Sequence, residues 1–253
     1  MIDERFVEGS SWLHQLDPRL KLIVAIIFSF TIALSNNLLM LIQVLTLAMI
    51  ILITARLEFK TIIKRILVVN TFILFIWLFI PFTFPGEELF KLGPLTGSKE
   101  GIIYALKITI RSNSILLLII GLLSTSSMTA LIHAMNNLYL PDKLIYLFFF
   151  IYRYLFVLKE EYDRLYTAMI IRAFRPKTNL HTYKSYGYLI GMFLLKSYQR
   201  AENVYDALLC RGFKGKFYNI DDFNLDKYDI AFAIISMVII FWCIYLERGW
   251  RIL

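Results

Sequence analysis

The stretch from Leu22 to Thr54 contains no charged residue and is too long for one ordinary membrane span. Ser35-Asn36-Asn37 interrupts it, so it reads as a tight hairpin of two short spans, 20–35 and 38–55. Composition agrees. Of 253 residues, 58% are hydrophobic, and a mean hydropathy of +0.64 lies outside the range of soluble globular domains. The chain is expected to be an integral membrane protein.

Leu16-Asp17-Pro18-Arg19 opens the first span, with aspartate at the N-cap and proline at the first helical position. The polar, mixed-charge start Met1-Ile-Asp-Glu-Arg5 predicts no secretory signal. After a basic patch of Arg56, Lys60, Lys64 and Arg65, a third span is expected over 66–84. The segment from Pro85 to Gly101 holds glycines, Pro94 and acids and reads as a loop. A fourth span, 102–123, carries Lys107 and Arg111. Charges inside a span face protein or snorkel, so for Arg111 a functional and a structural reading weigh equally. A fifth span covers Asp229 to Leu246 and ends in Glu247-Arg-Gly-Trp-Arg251, which has the aromatic and basic character of an interfacial anchor.

Between Ser124 and Lys227 the pattern changes to amphipathic helix and turn. A short helix is predicted over 128–138 and a long one over 141–173, whose first half is apolar apart from Arg153. The next helix, 183–211, places Tyr186, Ile190, Phe193, Ser197, Ala201, Val204 and Leu208 on one stripe. The small Ser197 and Ala201 are expected to let the preceding helix cross closely there. The fold class is therefore all-α, a polytopic membrane protein of about five transmembrane helices plus crossed helices outside the bilayer. Its three parts are an N-terminal membrane domain (1–123), the helices of 124–227 and a final transmembrane helix (228–253).

The basic residues set the orientation. Three fall in 1–21, four in 55–65 and fourteen in 124–227, while Lys91, Lys99, Arg248 and Arg251 fall on the opposite side. The N-terminus and the 124–227 helices are expected in the cytoplasm, and the C-terminus outside. The net charge of +8 is spread among apolar segments, which argues against nucleic acid. Cys210 and Cys243 lack metal-ligand spacing, and His14, His133 and His181 are scattered; no metal site and no catalytic residue are expected. No phosphate-binding loop spacing occurs.

One pattern appears twice. Tyr166-Thr-Ala-Met-Ile-Ile-Arg172-Ala-Phe-Arg175 returns thirty-nine residues later as Tyr205-Asp-Ala-Leu-Leu-Cys-Arg211-Gly-Phe-Lys214. Each copy closes a helical segment and is followed by a breaker, Pro176 or Gly215. Arginine suits the negative end of a helix dipole, but that alone does not require the tyrosine, alanine and phenylalanine to repeat. Two exposed, forked cations beside small residues have the character of docking points for carboxylates on a partner with two similar sites.

With these motifs, with Leu13-His14-Gln-Leu-Asp17-Pro18-Arg19-Leu-Lys21, with Leu138-Tyr-Leu-Pro141 and with Tyr152-Arg153-Tyr154 to Glu160-Glu161, the chain resembles the transmembrane coupling (T) component of energy-coupling factor transporters. These are importers of the ATP-binding-cassette class for vitamins and transition metals. The run from Leu195 to Gly215 is more similar to the cobalt-transport branch than to the shared vitamin-importing one. The resemblance implies that Arg172 and Arg211 contact two cytoplasmic ATPase subunits, with Ala173 and Gly212 as small neighbours and Ile171 and Cys210 beside them; the family pattern there is Ala-Arg-Gly. It also implies a separate membrane substrate-binding subunit, a small accessory membrane subunit in some complexes, and ATP and magnesium held by the ATPases. Cobalt or nickel is the implied cargo, and a bacterial or archaeal plasma membrane the implied location. Arg153 and Arg111 are candidates for supporting the coupling. The apolar run Tyr146 to Ile151 is a candidate contact for the substrate-binding subunit or for the chain's own spans.

Two rivals belong to other classes. A membrane enzyme on lipid or prenyl phosphates would have to use Glu160-Glu161-x-Asp163 or Asp221-Asp222. A channel or standalone secondary transporter would be expected to hold charges in several spans, yet only the fourth carries them.

Overall fold

A computed structural model describes residues 11–55, 57, 59–92, 95–136, 138, 141–215 and 227–252. Helices α1 (Trp12–Gln15), α2 (Pro18–Leu34), α3 (Leu38–Thr54), α4 (Phe59–Thr83), α5 (Lys99–Leu123), α6 (Met128–Asn136), α7 (Asp142–Ile171), α8 (Leu180–Cys210) and α9 (Lys227–Ile252) account for nearly all of them. The described residues group into two compact units, 11–134 with 227–252, and 135–215.

In the first unit α2, α3 and α5 start where a side chain satisfies free N–H groups. Asp17 accepts from the Arg19 N–H at 2.8 Å ahead of Pro18, and Asn37 from the Leu39 N–H at 3.0 Å. Ser98 accepts from the Gly101 N–H at 3.1 Å and opens α5. The fourth span thus begins at Lys99, three residues earlier than expected, because Ser98 is the cap. The third helix begins at Phe59 where the span was placed from residue 66, so Lys60, Lys64 and Arg65 ride on its first turns. Arg56 and Glu58 lie outside the described residues. The segment expected to be a loop forms an antiparallel hairpin, β1 (Glu88–Leu92) and β2 (Leu95–Ser98), whose register pairs Lys91 with Thr96 and Leu92 with Leu95. Its turn positions 93 and 94 lie outside the description.

Helices α4, α5 and α9 are long and apolar enough to cross a bilayer. The α2 and α3 helices, 17 residues each, measure about 26 Å at 1.5 Å per residue, slightly less than the hydrocarbon thickness. The expected five spans are therefore three full-length helices plus a shorter hairpin. Phe30, Leu34, Phe72, Phe79, Phe241 and Tyr245 are exposed, as lipid-facing side chains must be.

The core forms where α3 and α5 meet α2 and α9. Val24, Phe28 and Ile32 of α2 and Met40, Leu41, Val44 and Ala48 of α3 share one cluster with Leu117, Leu118, Leu122, Phe232 and Ile240. Close approach is built in at Gly121, where a Cβ would sit 2.9 Å from Ile51 Cγ2. Asn113 Nδ2 donates to Asn70 Oδ1 at 3.1 Å, and Trp77 Nε1 to Thr109 Oγ1 at 2.9 Å, linking α4 to α5 as polar groups do in lipid.

Two polar clusters clamp the ends of α2 to α9. At one end the Asp17 N–H donates to Asp229 Oδ1 at 2.8 Å. At the other, Glu247 accepts from Ser35 Oγ at 2.8 Å and from the Asn36 N–H at 3.2 Å. Asp229 and Glu247 are eighteen residues apart on α9, about 27 Å, close to the bilayer's apolar thickness. Glu247 is thus a cap for the α2–α3 turn, while the expected interfacial residues 248–251 have no described side chains. Arg111 belongs to the same cluster: its guanidinium donates to the Ser35 carbonyl and to Asn36 Oδ1.

The second unit is a helical hairpin. Asn179 caps α8 by accepting from the Thr182 N–H at 2.9 Å, so this helix starts at Leu180, earlier than the expected residue 183. The ends of α6 and α7 likewise fall at Asn136 and Ile171.

Candidate functional site

The two repeated motifs fold into the same helix terminus. In the first copy Arg172 is the C-cap of α7; the Ala173 N–H donates to the Ile170 carbonyl at 2.9 Å and the Phe174 N–H to the Met169 carbonyl at 3.2 Å. In the second, Arg211 caps α8, the Gly212 N–H donates to Leu209 at 2.9 Å and the Phe213 N–H to Leu208 at 3.0 Å. This pair of bonds is the Schellman arrangement, which needs a left-handed residue directly after the cap and favours an apolar one after that. Gly212 has φ +79° and Ala173 φ +60°; Ala173 is the one described non-glycine residue with positive φ. The small residue of the motif is therefore a backbone requirement as well as a matter of room, and the phenylalanine is the apolar closure. A glycine followed by an apolar residue after a helix is the signal that could have revealed this; alanine in the first copy obscured it.

The consequence is a fixed presentation of the arginines. Arg172, Arg211, Ala173 and Gly212 are all exposed, as are Cys210 and Ile171, the latter 79% exposed. Their cap bonds are local, so each arginine leaves its helix end at a similar angle. The two are not neighbours. Arg172 lies at the α7–α8 turn and Arg211 at the far end of the 31-residue α8, which is about 46 Å long.

Between them α7 and α8 pack antiparallel. Phe174 meets Tyr186 edge-on at 5.6 Å, Tyr162 meets Phe193 at 6.2 Å, and Lys196 Nζ donates to Glu161 Oε1. Arg164 lies 3.8 Å from Glu160 and 3.9 Å from Glu161. The Lys196 hydrogen bond holds the Glu161 carboxyl below its ordinary value of 4.5, with Arg164 and Arg200 adding to the effect. Partial burial and the Tyr166 hydroxyl raise the Tyr186 phenol. The acidic cluster of α7 thus serves the helix pairing, and Asp221-Asp222 lie outside the described residues.

The stripe on α8 is present with two changes. Tyr186, Phe193, Ser197, Val204 and Leu208 turn inward, but Ala201 is exposed, and Leu189 is buried where Ile190, 55% exposed, was expected. Tyr162 meets Phe193 one turn before Ser197, and Glu161 pairs with Lys196 beside it. The small Ser197 and Ala201 line a groove of about 410 Å³ with Phe150, Tyr154, Leu158, Val204, Leu208 and Phe213. Tyr205 of the second motif lines this groove, whereas Tyr166 of the first stacks on Tyr162 at 6.2 Å. Of the apolar run Tyr146 to Ile151, Leu147 and Ile151 are exposed and Phe150 faces the groove. Arg153 is exposed on α7, and Arg111 belongs to the other unit, so neither joins the caps.

Among the described residues no group of three histidines, cysteines or acids gathers as a metal site. What the site offers chemically is two permanent cations on rigid helix ends, suited to carboxylates.

Comparison with known proteins places this geometry in a family. The chain is 28% identical to the energy-coupling factor transporter transmembrane protein EcfT of Bacillus subtilis, over 85% of each chain. It is 23% identical to the protein of the same name from Ruminiclostridium cellulolyticum over 96% of each. It is also 27% identical to an uncharacterized protein of Methanocaldococcus jannaschii over 97% of this chain and 86% of that one. Residues 9–219 match the family CbiQ, described as cobalt transport protein. Spanning both arginine caps and the whole hairpin between them, that match makes this chain a member of the CbiQ cobalt transport protein family.

Proposed function

We propose that this protein is the transmembrane coupling subunit of an energy-coupling factor importer, and that Arg172 and Arg211 dock two cytoplasmic ATPase subunits. One observation carries the reading: two sequence copies build one and the same cap, each holding an exposed arginine in the same relation to its helix end. A duplicated presentation suits a duplicated partner. Ile171 and Cys210 before the arginines, with Ala173 and Gly212 after them, form the shoulders of each docking point. ATP and magnesium belong to the ATPases, and this chain supplies no catalytic residue.

The mechanism is mechanical. ATP binding closes the ATPase pair, the two caps follow, and the hairpin of α7 and α8 passes the displacement to a separate membrane substrate-binding subunit. A small accessory membrane subunit completes the complex in the cobalt branch. The family description supports cobalt or nickel as cargo, and the relatives named EcfT support the shared coupling role. The distribution of lysine and arginine supports a plasma-membrane orientation with the N-terminus and the hairpin in the cytoplasm and the C-terminus outside.

Co-purification from native membranes in mild detergent tests the reading. Wild type is expected to bring ATPase subunits with it, and Arg172→Ala/Arg211→Ala to lose them. ATPases retained by the double variant would sink the docking role. Absence of ATPases from the wild type would sink the coupling reading as a whole.

A further inference from the structure

The most enclosed charge in the membrane unit has no part in the docking site. Lys21, in the first turn of α2, is fully buried at 0% exposure. Its ammonium donates to Ser126 Oγ at 3.0 Å and to Thr125 Oγ1 at 3.3 Å. Thr125 and Ser126 are themselves buried, as are Asp17 and Asp229, the carboxylates whose charge faces the ammonium. Asp229 accepts from the Asp17 N–H at 2.8 Å, and Asp17 Oδ2 is buried with no hydrogen-bond partner. Lys21 thus brings a buried positive charge to the two buried carboxylates.

Its place in the chain gives the cluster its meaning. Thr125 and Ser126 lie in the link between α5 and α6, within the membrane unit and shortly before the chain leaves it after residue 134. Asp229 lies in the first turn of α9, where the chain returns. Both covalent connections of the whole segment 127–228 are thus rooted at one buried point on the N-terminus of α2. A flexible link would absorb displacement, whereas a link held by a buried charge and two hydroxyls passes it on.

We infer that Lys21, with Thr125, Ser126, Asp17 and Asp229, is the fixed root through which movement of the α7–α8 hairpin acts on the membrane unit. Lys21 is a positioning residue for coupling and touches neither nucleotide nor cargo. This inference rests on the coupling function proposed above, and its test separates the two.

The complex is purified with its co-purifying ATPases, and spin labels are placed on unnatural amino acids at exposed Glu202 in α8 and Met237 in α9. The distance between them is measured without nucleotide and after trapping with ATP and vanadate. Two variants are compared with wild type: Lys21→Met, and Thr125→Ala/Ser126→Ala, which keeps every charge and removes the two acceptors together with the Thr125 hydrogen bond to the Leu122 carbonyl. The expected result is a nucleotide-driven shift in wild type that falls by at least about half in the hydroxyl-free variant while its ATPases stay bound. Thr125→Ser restores the shift. Should Lys21→Met fail to assemble, the hydroxyl-free variant decides. A wild-type shift in it, loss of its ATPases, or no shift in ATPase-bound wild type each overturns the root. Absence of ATPases from wild type overturns instead the function on which the root depends.

Discussion

Exchanging the small residues of the two caps separates backbone strain from every other effect. At Gly212, φ is +79° and a Cβ would meet no atom within 4 Å, so Gly212→Ala introduces no clash. The cost of holding an L-residue left-handed is about 1–2 kcal/mol, and the reduced freedom of the unfolded chain returns about 0.4–1 kcal/mol. The net loss is about 1 kcal/mol, or about fivefold in the local opening equilibrium. Ala173 already carries this strain at φ +60°, so Ala173→Gly shifts the end of α7 the opposite way by a similar factor. Hydrogen exchange of the purified chain reads both effects. The amides of Gly212 and Phe213 lose their bonds to Leu209 and Leu208 when the cap opens, and those of Ala173 and Phe174 lose theirs to Ile170 and Met169. Exchange should quicken about fivefold at the first pair in Gly212→Ala and slow at the second pair in Ala173→Gly. Gly212→Asn, whose side chain tolerates this conformation, should fall between glycine and alanine. Exchange at the wild-type rate in Gly212→Ala, or faster exchange in Ala173→Gly, would refute the left-handed caps.

Two further perturbations probe the two units separately. Gly121→Val places branched carbon where a Cβ alone would already lie 2.9 Å from Ile51 Cγ2, so it forces α3 from α5 at about 1–3 kcal/mol; a thermal scan in detergent should show a lower midpoint, restored in part by Ile51→Ala. In the hairpin, Glu161 has its pKa lowered by the hydrogen bond from Lys196. A depressed carboxyl contributes stability that is full above its unfolded value near 4.5 and fades as pH falls through the lower folded value. Acid titration followed by a fluorescence pair across α7 and α8 should therefore show separation beginning below 4.5, and Lys196→Met should weaken that pH dependence, leaving only the contribution of Arg164 and Arg200; an unchanged titration in Lys196→Met would remove the pair from the account.

The sequence displayed the helices plainly because their apolar runs and caps are local signals. Asp17-Pro18 and Asn37 start helices where their short polar side chains satisfy free N–H groups. Signals that depend on distant partners were less legible. Helix α4 begins seven residues before the span expected from residue 66, because Lys60, Lys64 and Arg65 project from its first turns. The β-hairpin after α4 was masked by its glycines and acids, since pairing of β1 with β2 is a property of two strands together. On α8, Leu189 and Ile190 are equally apolar, and only the position of α7 chooses between them. Small Ser197 and Ala201 permit close approach, and Tyr162, Phe193 and the Glu161–Lys196 pair are contacts at the crossing that only the paired helices reveal. Repetition of the arginine motif was visible at once, and the left-handed residue that makes it a cap was hidden by Ala173.

That crossing point sets how the hairpin would work as a lever. Phe193 lies eighteen residues from Arg211 and thirteen from Leu180, giving arms of about 27 Å and about 20 Å. A tilt of about 10° about the contact moves the Arg211 end by about 5 Å and the other end by about 3–4 Å, in opposite directions, as a helix held at one crossing must move. Partner sites must then be about 45 Å apart and must shift unequally. Under the proposed docking, a single small protein could not satisfy both arginines, whereas two subunits could. The groove beside the crossing changes shape with the same tilt, because its walls are Phe150, Tyr154 and Leu158 on one helix and Ser197, Val204 and Leu208 on the other. Motion at the charged ends is thereby converted into a change of apolar surface, with no chemistry required of this chain.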